Sequence, residues 1–145
     1  MKAIVMVVGL IVSISYPMYG DLIAKAQRND AKIYLSRIAL LQENFKNNCY
    51  TYTTNVAGGT IKDCTGLGYR ATSPGGYYKL ASSPVAGLFN QRTLTLDHAY
   101  RVSVVPAAGS LRPDDGKLGI DSVGVQGWDR NNNGTYDASE YTWDK

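Results

Sequence analysis

The last part of the chain concentrates oxygen-bearing side chains in the stretch DRNNNGTYDASE, residues 129–140. Calcium loops place carboxylate, amide and carbonyl oxygens at alternate positions and a glycine at the sharp turn, because Ca²⁺ binds hard oxygen ligands. Gly134 occupies that turn position here. The stretch therefore predicts a Ca²⁺ site formed by the side chains of Asp129, Asn131, Asn133, Asp137 and Glu140 and the backbone carbonyl of Thr135.

Two features of this loop determine its expected affinity for Ca²⁺ and its expected role. Only three of the ligands are carboxylates and Arg130 lies among them, which favours a weak, extracellular-type affinity, on the order of 10⁻⁴ to 10⁻³ M. Only YTWDK follows Glu140, so we expect a loop that binds the ion without moving a second helix. The alternative is an Asn/Asp-rich turn that binds nothing.

No combination of residues points to catalysis. The single histidine, His98, lies next to Asp97 without a nucleophile motif, an H-E-x-x-H zinc motif or a phosphate-binding loop. The net charge is +3 without a dense Lys/Arg run, so no nucleic-acid site is evident. We therefore expect a protein that is not an enzyme and an exposed, structural His98.

The two cysteines, Cys49 and Cys64, lack the C-x-x-C spacing and the neighbouring histidine that would suit zinc. If the chain is exported, we expect a disulfide, worth roughly 3 kcal/mol for a loop of about 15 residues. In a cytosolic protein the same pair would remain reduced thiols.

The beginning of the chain predicts one long helix with two different halves. Residues 3–20 carry no charge, and residues 21–48 contain neither glycine nor proline. Pro17 would kink a helix without having to end it. A cleaved signal peptide ending at Ser13 to Ser15, or a simple membrane anchor, would explain the apolar half alone. The second half repeats apolar residues at helical spacing on one face, at Ala31, Tyr34, Leu35, Ile38, Leu41 and Phe45.

The middle of the chain predicts a small sheet. The segment GYYKLASS lies between glycines and Pro84, and residues 100–104 and 117–120 alternate apolar and polar or small side chains. We expect an α+β fold of three or four antiparallel strands packed on the amphipathic helix half, with the other sheet face left for neighbours or solvent. The expected units are an apolar helix half, 1–20, and a globular domain, 21–145. That domain divides into helix half 21–48, disulfide-tied loop 49–75, and sheet with C-terminal loop 76–145.

The stretch IVMVVGLIVSISYPMYGDLIAKAQRNDAKIYLSRIALLQENF resembles the N-terminal helix of type IV pilins, close to the minor-pilin group, with its Tyr-Pro-x-Tyr and Gln-Glu-x-Phe motifs. The resemblance continues through YRVSVVP at 100–106 and GIDSVG at 119–124. It implies a structural subunit of an extracellular type IV pilus, held in the inner membrane before assembly. Its implied partners are other copies in a helical filament, minor pilins and the inner-membrane assembly machinery. The implied assembly helix includes Ile4, Val8, Leu10, Ile11, Ile14 and Pro17.

Two differences from the pilin pattern lead to further expectations. Pilins begin their mature chain near Phe-Thr-Leu-Ile-Glu, and we expect the natural chain to begin upstream of Met1. Many relatives close a C-terminal loop with a cysteine pair, where this chain has Asp114-Asp115 and the predicted Ca²⁺ loop. Two alternatives fit the same features: a type II secretion pseudopilin, or a secreted or membrane-anchored calcium-binding module of the adhesin kind.

Overall fold

A computed structural model describes the backbone of residues 2–144 and the side chains of residues 19–144. It confirms the predicted α+β fold, in which a long N-terminal helix packs on a small antiparallel sheet. No helix within the described part of the chain combines the length and the apolar character needed to cross a membrane. The elements are α1 (Lys2–Cys49), β1 (Tyr78–Leu80), β2 (Val85–Ala86), β3 (Tyr100–Pro106), β4 (Leu118–Asp121), β5 (Gln126–Trp128) and a 3₁₀ turn (Ala138–Glu140).

Helix α1 continues through Pro17 and Gly20, as predicted. It ends where Tyr50 adopts a left-handed backbone conformation, with φ 62°, and donates its N–H to the carbonyl of Lys46. The predicted apolar face is confirmed, because Ala31, Tyr34, Leu35, Ile38 and Phe45 are all buried and Leu41 is partly buried. The side chains of the predicted assembly residues Ile4, Val8, Leu10, Ile11, Ile14 and Pro17 lie outside the described residues.

The sheet has the strand order β1-β3-β4-β5, with β2 also pairing to β3, and every pairing is antiparallel. Strand β3 alternates buried and partly exposed residues from Tyr100 to Val104, as its sequence predicts. The register places Val102 opposite Ile120 and Leu118 opposite Trp128. Five strands form where three or four were expected, the two-residue β2 being too short for a periodic signal.

The outer face of the sheet, expected to meet neighbours or solvent, is partly covered by side chains of the same chain. All four residues of β4 are buried. An added Cβ at Gly119 would lie 2.7 Å from the ring of Phe89, and one at Gly127 would lie 2.8 Å from the ring of Tyr136. These two glycines therefore leave room for aromatic rings to pack directly on the backbone.

The segment after the helix is tied down by a disulfide and by helix side chains. The Cys49–Cys64 disulfide is present, with the two Cα atoms 5.6 Å apart, as expected for an exported chain. The buried amide of Gln42 donates to the carbonyl of Thr53 at 2.7 Å and accepts its N–H at 3.0 Å. The hydroxyl of Tyr34 donates to the carbonyl of Arg70. These contacts hold the loop beside the helix although it contains no strand.

We expect removal of this disulfide, in the double variant Cys49→Ser with Cys64→Ser, to lower the free energy of unfolding by about 3 kcal/mol. Hydrogen exchange should rise mainly between residues 50 and 63, because the sheet keeps its own hydrogen bonds. Chemical denaturation and exchange measured by mass spectrometry test both effects. Cysteines that react with an alkylating reagent in the native, unreduced protein would contradict the pairing.

Candidate metal centre at the C-terminal loop

The predicted Ca²⁺ loop begins directly after strand β5. The N–H of Asp129 donates to the carbonyl of Lys117 at 2.9 Å, which fixes the start of the loop beside β4. Gly116 has φ +75°, and an added Cβ there would lie 1.8 Å from the carbonyl oxygen of Asp129. A glycine is required at this position, both for its conformation and for the close approach of the two backbones. The loop ends in the 3₁₀ turn, where the N–H of Glu140 donates to the carbonyl of Asp137 at 2.8 Å.

Two buried carboxylates organise the loop. Asp129 is 1% exposed, and its two oxygens accept the N–H groups of Asn133 and Gly134 at 3.0 and 2.9 Å. Glu140 is 4% exposed and accepts the N–H of Arg130 at 2.9 Å and that of Asp137 at 3.1 Å. Backbone donors from both halves of the loop therefore point at two negative side chains, so the loop closes on itself.

The remaining predicted ligands belong to the same network. The side-chain oxygen of Asn133 accepts the N–H of Thr135 at 2.8 Å, and that of Asn131 accepts the N–H of Asn133 at 2.9 Å. The amide of Asn131 lies 3.4 Å from an oxygen of Asp137. Gly134 has φ +87°, so the predicted sharp turn occurs where the glycine allows it. All six predicted ligand residues thus lie in one loop linked by hydrogen bonds.

The carboxylates of the loop make no direct ion pair among the described side chains. No ion pair in this part of the chain involves Asp129, Asp137 or Glu140. The guanidinium of Arg130 instead donates to the carbonyl of Ser139 and lies 5.6 Å from the centre of the Trp128 ring. Such a loop could hold a cation in chemical terms, since buried carboxylates gain from a neighbouring positive charge.

The phenol of Tyr136 is affected by the same charges. Burial raises its pKa, a hydrogen bond to Ser103 lowers it, and the negative charges of Asp129 and Glu140 raise it further. Across the residues that the structure describes, however, no three Asp, Glu, His or Cys side chains converge as a metal cluster. The Ca²⁺ site therefore stays a prediction.

Comparison with known families identifies the kind of protein that carries this loop. A family model described as "Type IV minor pilin ComP, DNA uptake sequence receptor" matches residues 17–114, about two thirds of the chain. The chain belongs to this family. As a type IV minor pilin it is a component of the type IV pilus, an extracellular filament, and its family is one of structural proteins. No curated protein matches the sequence. The matched region ends before β4, so the candidate metal centre lies beyond it.

The minor pilin also contains a charged contact between helix and sheet that the sequence did not reveal. The Nε of Arg28 lies 2.8 Å from a carboxylate oxygen of Asp115, although the N–H does not point at that oxygen, so the contact is ionic. The same carboxylate accepts the hydroxyl of Tyr78 at 2.9 Å, and the guanidinium lies 4.4 Å from the centre of the Trp128 ring. Burial raises the pKa of Asp115, while Tyr78 and Arg28 lower it in part. No local spacing signals this cluster, because its members come from four distant segments.

The single histidine of the minor pilin is exposed, as expected from its sequence context. Its Nδ1 lies 3.0 Å from the hydroxyl of Thr95 and 3.3 Å from a carboxylate oxygen of Asp97. A hydrogen bond from Thr95 to the carboxylate of Asp97 is the main reason why the pKa of Asp97 is lowered, and the nearby His98 lowers it further. This is a local turn contact at the surface, which suits a structural residue.

Proposed function

We propose that this minor pilin polymerises into an extracellular type IV pilus through its N-terminal helix, and that Ca²⁺ stabilises its C-terminal loop. The family match favours a pilus over a type II secretion pseudopilus or a free adhesin-like module. Its partners would be other copies, other pilins and the inner-membrane assembly machinery. Before assembly, the uncharged residues 3–16 would hold the chain in the inner membrane.

The observation that carries this proposal is an exposed apolar stripe on α1, formed by Tyr19, Leu22, Ile33 and Leu40. At 3.6 residues per turn these positions fall on one face, opposite the buried face that contacts the sheet. Their side chains are 58% to 67% exposed. Several exposed apolar side chains on one face of a helix provide a surface on which a neighbouring helix can pack. The stripe continues the apolar half of the same helix, so one surface of α1 could contact neighbouring helices along its whole length.

Repetition of one such contact would generate a filament. A head-to-tail contact between identical subunits that does not close into a ring produces an open helical assembly. Each aliphatic side chain buried in this way contributes roughly 1.5 to 3 kcal/mol. The stripe would therefore stabilise packing of the helix in addition to residues 3–16.

The Ca²⁺ part of the proposal is supported by the unpaired charge of the loop. Asp129 and Glu140 are buried and hydrogen-bonded to backbone N–H groups only, and Asn131, Asn133, Asp137 and the carbonyl of Thr135 complete an all-oxygen ligand set. A bound ion would fasten the C-terminal segment where many relatives use a cysteine pair.

We expect Ile33→Glu to reduce incorporation into filaments at least tenfold, because it places a charge in the proposed helix contact. The melting temperature of the isolated subunit should change little, since Ile33 is 65% exposed and outside the core. Quantitative mass spectrometry of sheared filaments and of the membrane fraction measures the distribution between them.

The control is Lys62→Glu, which makes the charge change at an exposed residue of the loop that follows α1, outside the stripe. It should assemble like the wild type. Equal amounts of Ile33→Glu and wild-type subunits in sheared filaments would show that the stripe faces solvent in the pilus, which contradicts the proposed contact.

The family description also names a DNA ligand, and the charges along the helix edge bear on it. Basic side chains there have acidic neighbours: Arg28 pairs with Asp115, Lys32 lies 3.6 Å from Asp144, and Arg112 lies 3.4 Å from Asp21. Backbone phosphates require cations that are free to replace counterions. These three basic side chains are therefore not free to bind a DNA backbone.

A further inference from the structure

A second group of basic side chains lies on the outer face of the sheet, away from α1. A cavity of about 240 Å³ is lined there by Arg92, Arg101 and Lys117. One wall comes from the segment around β2, with Ser82 and Phe89. The opposite wall comes from the C-terminal loop, and its lining residues are Gly134, Thr135 and Tyr136.

The charge of this cavity is of one sign. No acidic residue lines it, and none of the ion pairs among the described side chains involves Arg92, Arg101 or Lys117. Burial lowers the pKa of Arg101, and the positive charge of Arg92 lowers it further, so the two guanidinium groups repel each other. Like charges held together without a counter-charge favour binding of an anion.

Local contacts hold two of these cations in place. The Nη1 group of Arg101 donates to the carbonyls of Ala86 and Leu88, at 3.0 and 3.4 Å, which directs the side chain along the β2 segment. Lys117 donates to the carbonyl of Gly134 and lies 5.2 Å from the centre of the Tyr136 ring. A site with fixed cations loses less conformational entropy on binding than flexible surface side chains do. The pocket is therefore partly preorganised.

We propose that this pocket binds a doubly charged oxyanion of the phosphate class, such as a phosphate monoester or sulfate group projecting from a partner molecule. Guanidinium groups match the geometry of phosphate oxygens, and lysine adds a point charge. The hydroxyl of Ser103 accepts that of Tyr136 and keeps its own proton for an anion, whereas the hydroxyls of Ser82 and Thr135 at the same cavity already donate to Ser83 and Asn133. Three cations around one cavity suit a concentrated double charge better than a duplex backbone, which presents single charges spaced along a groove.

The experiment uses the full chain in a maltoside detergent, which carries no phosphate, and follows the backbone amides by NMR during titration with inorganic phosphate, sulfate and chloride. We expect phosphate and sulfate to shift amides at residues 82, 92, 101, 117 and 135, and chloride to cause no comparable shift. Arg101→Gln should weaken phosphate binding about tenfold, the size expected for loss of one charged hydrogen-bond partner. Arg101→Lys should recover part of the loss.

Two further variants separate binding from folding. Arg92 is exposed, so Arg92→Gln should weaken phosphate binding without disturbing β2. Arg37→Gln removes the same charge from the exposed side of α1 and should leave phosphate binding unchanged. Wild-type affinity for phosphate in both Arg92→Gln and Arg101→Gln would overturn the proposal.

Titration of the protein with duplex DNA tests the competing possibility that the pocket binds a nucleic-acid backbone. DNA bound at this pocket that neither phosphate nor sulfate displaces would overturn the proposal, because the site would then be part of an extended nucleic-acid surface. DNA displaced by millimolar phosphate would support it. These measurements use unassembled subunits, so they succeed or fail independently of the proposed filament contact.

Discussion

Replacement of Val8 by aspartate should remove the protein from filaments while leaving its globular domain folded. Residues 3–16 carry no charge, and Val8 lies in the middle of this stretch. A carboxylate at the centre of an apolar helix bundle or bilayer costs about 3 kcal/mol on insertion scales. That cost corresponds to a decrease in incorporation of about a hundredfold, which quantitative mass spectrometry of sheared filaments can detect.

The globular domain should tolerate this change because of where its core begins. Among the described side chains, the first buried residue of α1 is Ala24, and the main cluster begins at Ala31. The disulfide should form normally in the variant. A chain beginning at about Asp21 should likewise be soluble and monomeric. Val8→Leu, which keeps the apolar character, is the matched control and should assemble like the wild type. Normal filaments containing Val8→Asp would contradict the proposal that residues 3–16 form the filament core.

The helix was the most predictable part of the fold, for a physical reason. Residues at i, i+3 and i+4 lie on one face, so burial of Tyr34 and Ile38 follows from spacing alone. Pro17 could also be accommodated, because one proline removes a single hydrogen bond in a helix supported by many others. The exposed stripe was not predicted, since the position of the sheet decides which apolar residues remain uncovered.

The sheet was predictable only where its strands are long. Strand β3 alternates apolar and polar side chains over enough residues to be recognised from the sequence, whereas β2 has two residues and β5 has three. The covering of β4 depends on Tyr136 and Phe89, which come from segments distant from β4 in the sequence. Periodicity describes one element at a time, so contacts between loops and sheet faces lie beyond it.

In the candidate metal loop, too, some features could be predicted from the sequence and others could not. Ligand spacing is local, so the sequence predicted which residues gather in the loop. It did not reveal that Asp129 and Glu140 are buried, because their burial depends on β4 and on packing of the C-terminal segment. The contact between Arg28 and Asp115 and the basic pocket at Arg101 were missed for the same reason.

A paired substitution in the C-terminal loop, Asp129→Ala with Glu140→Ala, should lower the free energy of unfolding by about 4 kcal/mol or more in the presence of Ca²⁺. Each carboxylate accepts backbone N–H groups in a buried position, and hydrogen bonds to charged groups contribute about 1.5 to 3 kcal/mol each. Bound Ca²⁺ would add about 1.4 kcal/mol at an ion concentration ten times the Kd. Thermal and chemical denaturation measure the total.

The two contributions can be separated with a substitution that keeps the shape of the side chain. Asp129→Asn keeps one of the two acceptor oxygens, and so one of the two hydrogen bonds to the N–H groups of Asn133 and Gly134, but removes the charge that Ca²⁺ requires. In a chelator, this variant should melt closer to the wild type than Asp129→Ala does. Addition of about 10 mM Ca²⁺ should raise the melting temperature of the wild type by about 3 to 6 °C, and that of Asp129→Asn by much less.

Proteolysis of the C-terminal segment gives an independent readout of the same ion. Trp143 is buried and donates its indole N–H to the carbonyls of Gly119 and Gly127, so an ordered segment is protected. Chelation should loosen the loop that connects Trp143 to β5 and increase cleavage after residue 129, while Ca²⁺ should reverse the increase. Magnesium at the same concentration should protect less, because it requires a tighter octahedral site than this loop offers. If the wild type melts and is cleaved identically in chelator and in 10 mM Ca²⁺, the loop is a hydrogen-bonded turn and the metal site is wrong.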